Sequence, residues 1–261
     1  MPRVDSIRNP RLRDTLRLIE SSHERRKSGR CVLEGVHLIR VYIDRVGAPQ
    51  TVVVSDDALS DPEIATLIEQ VPSSDVLVLS RRLFSQIASV PADVGALAVV
   101  RAPAAEHPKR GSFVLLLEDI QDPGNVGTML RTAAAAGIEQ VCLSKRCAFA
   151  WSPKALRAGQ GAHFLTTVVE DVDLVEWCAA FRTSGGRVAA LVAHGGTSIF
   201  ETDLRGALAI AVGNEGAGLS DELRSAADIA VTIPMPGGME SLNAAAASAV
   251  ALFECVRRRL Q

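Results

Sequence analysis

Aromatic residues make up only 4% of the 261-residue chain, so Ala, Val and Leu must fill whatever core it builds. No apolar run approaches the roughly 18 residues that a membrane-crossing helix needs, which argues against a helical span. The first residues, Met1–Ser6, lack the apolar stretch of a signal peptide, and a cytoplasmic location is expected. Cysteine is sparse. Cys31, Cys142, Cys147, Cys178 and Cys255 are odd in number, form no C-x-x-C pair and have no histidine at ligand spacing. Neither a disulfide framework nor a structural metal site is expected, and the thiols are read as reduced and mostly buried. A Walker A sequence is also missing.

What remains is ample core material: 48% of residues are hydrophobic, which excludes wholesale disorder. The length suits one large domain or, more comfortably, two. The net charge of −2 argues against nucleic acid until its distribution is read. Residues 1–30 hold nine basic groups against four acids, a local +5, which leaves −7 for the rest. Such segregation can lay a basic face on a polyanion while the whole chain stays near neutral. Arg8, Arg11, Arg13, Arg25 and Arg26 are the candidates for that face. A solvated arginine-rich helix is the plain alternative.

The clearest boundary is 101–111, where Pro103, Pro108 and mixed charges interrupt the apolar pattern. Before it, the pattern predicts helices near 10–27, 36–46, 61–70 and 81–89, alternating with strands near 31–34, 51–54, 76–79 and 96–100. After it, apolar runs predict strands at 113–117, 141–143, 188–192, 208–212 and 229–233. Helices are expected near 130–136, 153–159, 173–184, 220–226 and 241–259. Strands alternating with helices imply an α/β fold with a mostly parallel sheet covered on both faces.

Three segments in the second half carry the chemistry. The first is Asp119-Ile120-Gln121-Asp122-Pro123-Gly124-Asn125-Val126-Gly127-Thr128-Met129-Leu130-Arg131. Here Asn125 is placed as the N-cap of the following helix, and Arg131 leans back over Gly127 towards the strand end. The second, Gly213-Asn214-Glu215-Gly216-Ala217-Gly218, follows a strand and frees backbone groups to approach a ligand. Its G-x-x-G-x-G spacing departs from the dinucleotide fingerprint, and Glu215 would repel a pyrophosphate. The third runs from Ile233-Pro234-Met235 to Ser241-Leu242-Asn243-Ala244, with Ser241 placed as N-cap of an alanine-rich helix. Each segment lies where an apolar run ends, and in open α/β sheets those ends face the ligand crevice.

Together, in this order, the segments resemble the three motifs of the SpoU (TrmH) family of RNA 2′-O-ribose methyltransferases, within the SPOUT superfamily. The resemblance implies a trefoil-knotted C-terminal domain at 112–261 that uses S-adenosyl-L-methionine and needs no metal. It implies that Gly213, Asn214, Gly216, Gly218, Ile233, Met235 and Leu242 bind the cofactor. It likewise implies that Asn125, Arg131, Glu215, Ser241 and Asn243 form the polar catalytic set. Residues 6–13 and 31–38 resemble the substrate-binding extension of many such enzymes, so 1–100 is expected to be an L30e-like RNA-binding domain and 101–111 a linker. Structured RNA is the expected partner, ribosomal RNA before transfer RNA, with a homodimer formed through the C-terminal domain.

Two other classes compete. A nucleotide-dependent oxidoreductase conflicts with the glycine spacing and lacks an acid-tipped second strand. A non-catalytic RNA-binding protein leaves the intact Asn125, Arg131, Glu215 and Asn243 unexplained. His194 follows a strand and could face a ligand, but without a sequence partner it is read as incidental.

Overall fold

The computed structural model describes residues 1–88, 95–103 and 113–261. The expected linker therefore lies outside the described residues from 104 onward, and its first residue, Arg101, still belongs to a strand. Two compact units emerge: Met1–Ala104 with Trp151–Phe164, and Ala105–Ala150 with Leu165–Gln261. Residues 151–164, expected within the 112–261 domain, belong to the first unit.

The first unit holds a mixed sheet in the order β1 (Arg3–Val4), β4 (Val76–Leu79), β3 (Thr51–Ser55), β5 (Ala96–Arg101), β2 (Arg30–Glu34). β1, β4 and β3 run parallel, while β5 is antiparallel to both its neighbours. Leu12 and Leu18 of α1 (Pro10–Glu20) pack with Val32, Val53, Leu77, Leu79, Phe84, Leu97 and Val99 in one apolar cluster. Side chains buried this fully contribute roughly 1.5–3 kcal/mol each. Helices α3 (Val36–Arg45), α4 (Pro62–Glu69) and the short α5 (Arg81–Phe84) lie between β2 and β5.

The helix expected over 10–27 is two helices. Ser21 ends α1 and its Oγ accepts from the Glu24 N–H (3.2 Å), opening α2 (Ser22–Ser28). The S-x-x-E spacing is a capping box legible in the sequence. Arg25 is only 6% exposed, and its guanidinium donates to the Leu18 and Ile19 carbonyls at 2.6 and 2.8 Å. It caps α1 from within. Arg25 is therefore withdrawn from the basic face. Arg11 is also engaged, donating to the Ser74 carbonyl (2.5 Å) and Thr51 Oγ1 (3.2 Å). In the same unit, α7 (Pro153–Gly159) carries Arg157, 3.4 Å from a Glu34 carboxylate whose side chain is 2% exposed. The Tyr42 and Phe164 rings meet edge-on at 5.2 Å.

The second unit is built on seven strands, all parallel, in the order β10 (Thr197–Ser198), β12 (Ile229–Thr232), β9 (Arg187–Leu191), β11 (Leu208–Val212), β6 (Phe113–Leu117), β7 (Gln140–Ser144), β8 (Thr167–Val172). Its central strands, β6 and β11, are buried at every position, as parallel strands covered on both faces should be. Helices α6 (Pro123–Ala135), α8 (Leu174–Thr183), α9 (Asp221–Ala226) and α10 (Ala244–Arg259) accompany it. α10 packs against α6 and β11 through Ala244, Ala245, Ser248, Ala251, Leu252 and Cys255. Its small residues permit that approach. All five cysteines are buried, and burial pushes the Cys31, Cys142 and Cys255 thiols up to about 12.

Candidate active site

From β6 the chain winds one way, through α6 to β7 and β8; β11 and β9 lie on the other side of β6. Winding reverses between β6 and β11, and the crevice at such a reversal opens beyond the carboxyl ends of the strands. The three motifs follow β6, β11 and β12, so the fold gathers them at one edge.

At the end of β6, Asp119 sits in the left-handed region (φ 57°), unusual for a residue with a side chain. Four residues hold it there. Its N–H donates to Ser144 Oγ (2.9 Å), whose hydroxyl returns a bond to Asp119 Oδ1 (2.8 Å). The Asp119 carbonyl accepts from Asn214 Nδ2 (2.8 Å) and Gln121 Nε2 (3.1 Å). Arg146 pairs with its carboxylate. One step back, the Glu118 carboxylate accepts from the Ser220 N–H and Oγ, both at 2.7 Å, and anchors the start of α9.

α6 begins at Pro123 with Asp122 as its N-cap, the Asp122 Oδ1 accepting from the Gly124 N–H at 2.8 Å. This corrects the placement of Asn125, which lies inside the first turn. Its side chain is thereby free to reach across the crevice. Asn125 Nδ2 donates to Glu215 Oε1 (2.9 Å), and its Oδ1 receives a longer 3.4 Å contact from Asn243 Nδ2. Glu215 also accepts from the N–H groups of Gln121 (3.2 Å) and Asp122 (3.3 Å) at the helix entrance. Burial raises the Glu215 pKa, but the Asn125 and backbone hydrogen bonds together outweigh it and hold the carboxyl below its ordinary value. One carboxylate thus ties the second motif to the first, and Asn125 passes the tie to the third.

The second motif is a closed loop. Asn214 and Gly218 exchange backbone hydrogen bonds at 3.0 and 2.9 Å, and Asn214 Oδ1 accepts from the Gly216 and Ala217 N–H groups. A Cβ on Gly213 would stand 2.2 Å from the Gly218 carbonyl carbon, so that glycine is required by the chain's own loop before any ligand is considered. Gly218 adopts φ 71°, which favours glycine. The third motif is corrected at one point: the N-cap of α10 is Asn243, whose Oδ1 accepts from Ala245 N (2.9 Å) and Ala246 N (3.2 Å), not Ser241.

Between these loops lies a cavity of about 380 Å³. Gly213, Asn214, Glu215, Gly216, Gly218, Ile233, Met235, Ser241 and Leu242 all line it. So do residues the sequence did not single out, including Leu191 at the end of β9 with Val192 and Ala193 after it, Arg224 of α9, and Ala244 and Ala247 of α10. His194, set aside as incidental, is among them. The sequence offered only that His194 follows a strand and could face a ligand; the sheet order, with β9 beside β11, brings that strand end here.

Arg131 stands apart from this network. It is exposed on α6, makes no hydrogen bond or ion pair among the described residues, and does not line the cavity. Gly127, one turn earlier, is buried on the packed side of α6. Of the five polar residues nominated for catalysis, the fold links Asn125, Glu215 and Asn243, places Ser241 at the cavity wall, and leaves Arg131 unpartnered.

Known proteins resemble this chain in sequence and in fold. The SpoU rRNA Methylase family profile matches residues 112–253. The chain is 31% identical over 253 residues, 97% of its length and 98% of the relative's, to the 23S rRNA (guanosine(2553)-2'-O)-methyltransferase RlmP of Bacillus subtilis. Identity is 28% to a 23S rRNA (uridine(2479)-2'-O)-methyltransferase of Streptomyces viridochromogenes, over 97% of this chain and 91% of that one. The crystal structure of the SpoU methyltransferase AviRb from Streptomyces viridochromogenes with AdoMet superposes with a TM-score of 0.86 at 27% identity, covering 97% and 99% of the two chains. AdoMet-bound rRNA methyltransferase from Sinorhizobium meliloti gives 0.85 at 26% identity, over 99% and 98%. With the motifs at one crevice and this breadth of likeness, the chain belongs to the SpoU rRNA methylase family.

Proposed function

We propose that this protein is an S-adenosylmethionine-dependent methyltransferase that modifies a ribose 2′-hydroxyl in structured RNA, with ribosomal RNA as its substrate. The interlock of Asn125, Glu215 and Asn243 beside a glycine-walled cavity carries the reading. That cavity suits the cofactor. About 380 Å³ falls within the range of small-molecule sites, its walls are mostly backbone and aliphatic side chains, and its one carboxylate is turned onto Asn125 and backbone N–H groups. Gly213, Asn214, Gly216, Gly218, Ile233, Met235 and Leu242 would hold it. When bound, S-adenosylmethionine supplies an electrophilic methyl group.

The chain's own residues prepare the other reactant. The Arg131 guanidinium, without a partner among the described residues, takes the phosphate and hydroxyl of the reacting nucleotide and stabilises the alkoxide that develops. Arginine stays protonated under ordinary conditions, so any proton it gives up is given transiently. Glu215 fixes Asn125, and Asn125 with Asn243 orients the ribose. Ser241, exposed at the cavity wall, contacts the substrate.

In the same reading, residues 1–100 form the L30e-like RNA-binding domain and 112–261 the methyltransferase domain, with the family's knotted path. The protein acts as a homodimer through that second domain. Val250 and Phe253, 37% and 49% exposed on α10 away from its packed side, supply an apolar face for the partner copy. The relatives' names favour ribosomal over transfer RNA.

Calorimetry of the full chain with S-adenosylhomocysteine and with NAD tests the cofactor assignment. Binding of the first alone is expected; binding of NAD alone would favour an oxidoreductase, and binding of neither a non-catalytic RNA binder. Mapping 2′-O-methylation in total RNA with and without the gene then identifies the nucleotide.

A further inference from the structure

The first thirty residues contain eight arginines, and the structure sorts them. Arg11 and Arg25 are bonded into the first unit, Arg30 pairs with Asp14 (2.6 and 3.0 Å), and Arg3 lies 3.7 Å from Asp56. The guanidinium groups of Arg8, Arg13 and Arg17 have no hydrogen-bond or ion-pair partner among the described residues. All three line one groove of about 560 Å³, together with Ile7, Leu16 and Glu20. Arg13 and Arg17 stand one helical turn apart on the exposed side of α1, whose buried side is Leu12, Thr15 and Leu18. Like charges at that spacing repel each other, although Arg17 also suits the negative end of the α1 dipole. Asn9 caps α1 through its Oδ1, and Ile7, just before it, is 43% exposed at the groove.

We propose that this groove holds one unpaired nucleotide of the RNA substrate. Its phosphate sits on Arg8, Arg13 and Arg17, its base lies against Ile7 and Leu16, and Glu20 accepts from a base N–H. Guanidinium groups match phosphate oxygens in two-pronged contacts and also stack on bases. An apolar wall beside them is useful only to a base that has left its stack, because a duplex offers its partners phosphates and 2′-hydroxyls. The inference rests on the RNA reading above and deepens it: the substrate is gripped at a single-stranded site as well as at the reacting ribose.

The test titrates the full-length chain with a fluorescent 12-nucleotide mixed-sequence RNA, single-stranded or annealed to its complement, at several KCl concentrations. The unaltered protein should bind the single strand at least ~5-fold more tightly than the duplex, as loss of the base contact would predict. Arg13→Gln and Arg17→Gln should each weaken single-strand binding and lower its log–log salt slope by about 0.7 per lost contact. Ile7→Ser should weaken it ~5-fold or more without changing the slope. Lys27→Gln, exposed on α2 outside the groove, should have little effect. Equal affinity for duplex and single strand overturns the proposal. So does an Arg17→Gln protein that binds like the unaltered one, or a Lys27→Gln loss as large as that of Arg17→Gln. S-adenosylhomocysteine binding, measured on the same samples, is expected to be unchanged. Its absence from the unaltered protein would overturn the methyltransferase reading while leaving the groove result standing.

Discussion

At the scale of single residues, the site separates groups that hold from a group that reacts. Glu215 accepts three hydrogen bonds and holds the helix entrance and Asn125 in place. Arg131 has no hydrogen-bond or ion-pair partner among the described residues. Arg131→Ala should therefore leave S-adenosylhomocysteine affinity and thermal stability near their starting values while lowering methyl transfer at least ~100-fold. Arg131→Lys should recover little, since an ammonium cannot reproduce the planar two-pronged contact. Lost cofactor binding in Arg131→Ala, with single-turnover transfer intact at saturating cofactor, would move the residue into the cofactor pocket. Glu215→Ala should behave oppositely: it removes three solvent-exposed hydrogen bonds, each worth at most about 0.5–1.5 kcal/mol net, and lowers the melting temperature while loosening the tie between the motifs. Glu254 on α10 offers a pH test. Hydrogen bonds from Arg257, then Arg258, outweigh burial and hold its carboxyl at about 2, against about 4.3 for an unfolded glutamate. A depressed carboxylate contributes stability above its unfolded pKa and loses it as pH falls through the folded value. Glu254→Gln should thus lower the melting temperature at pH 7, and the deficit should shrink between about pH 4 and pH 2. A deficit constant across that range would assign the loss to packing.

At the scale of elements, the glycine loop and the sheet edges are instructive. Gly213 has no room for a Cβ, whereas one on Gly216 would meet only Asn214 Oδ1 at 3.7 Å, an ordinary contact. Gly213→Ala should open the 214–218 loop and abolish S-adenosylhomocysteine binding. Gly216→Ala should keep the loop and reduce affinity only as far as a methyl group intrudes on the ligand. Equal losses in calorimetry would show that the loop is not held as its hydrogen bonds indicate. Strand prediction from sequence failed in one consistent place. β1, β8 and β10 were all missed, and each lies at the edge of its sheet. Edge strands pair on one side only and are often short or charged; β10 has two residues and β8 carries Glu170 and Asp171. They lack the apolar run that betrays a central strand such as β6. The misplaced N-caps have a different origin. Asp122, Asn125, Ser241 and Asn243 are all good capping residues, and only the backbone decides which stands at the first turn.

At the scale of the whole molecule, two expectations concern assembly and the thiols. Light scattering at micromolar concentration should return twice the chain's 27.7 kDa, and Phe253→Glu should shift it towards the single chain. A single-chain mass for the unaltered protein would remove the homodimer from the reading. All five cysteines are buried with raised thiol pKa, so a disulfide exchange reagent at pH 8 should label none in the native protein and all five in denaturant.

By itself the sequence determined the fold class, nearly every central strand and the three segments that make the crevice. Buried parallel strands must be apolar along their length, and the loops that follow them need glycine and small polar residues. Every residue nominated for the cofactor pocket lines one cavity for that reason. Tertiary structure alone decided what the polar residues do. That Asn125 reaches Glu215 rather than capping its helix, and that Arg25 is a buried cap while Arg17 faces a groove, depends on contacts 6 to 90 positions apart in the chain. So does the entry of the β9 end into the cavity wall. Side-chain chemistry is written in the sequence, but whether a guanidinium or an amide is free to meet a ligand depends on which neighbours the fold has already given it.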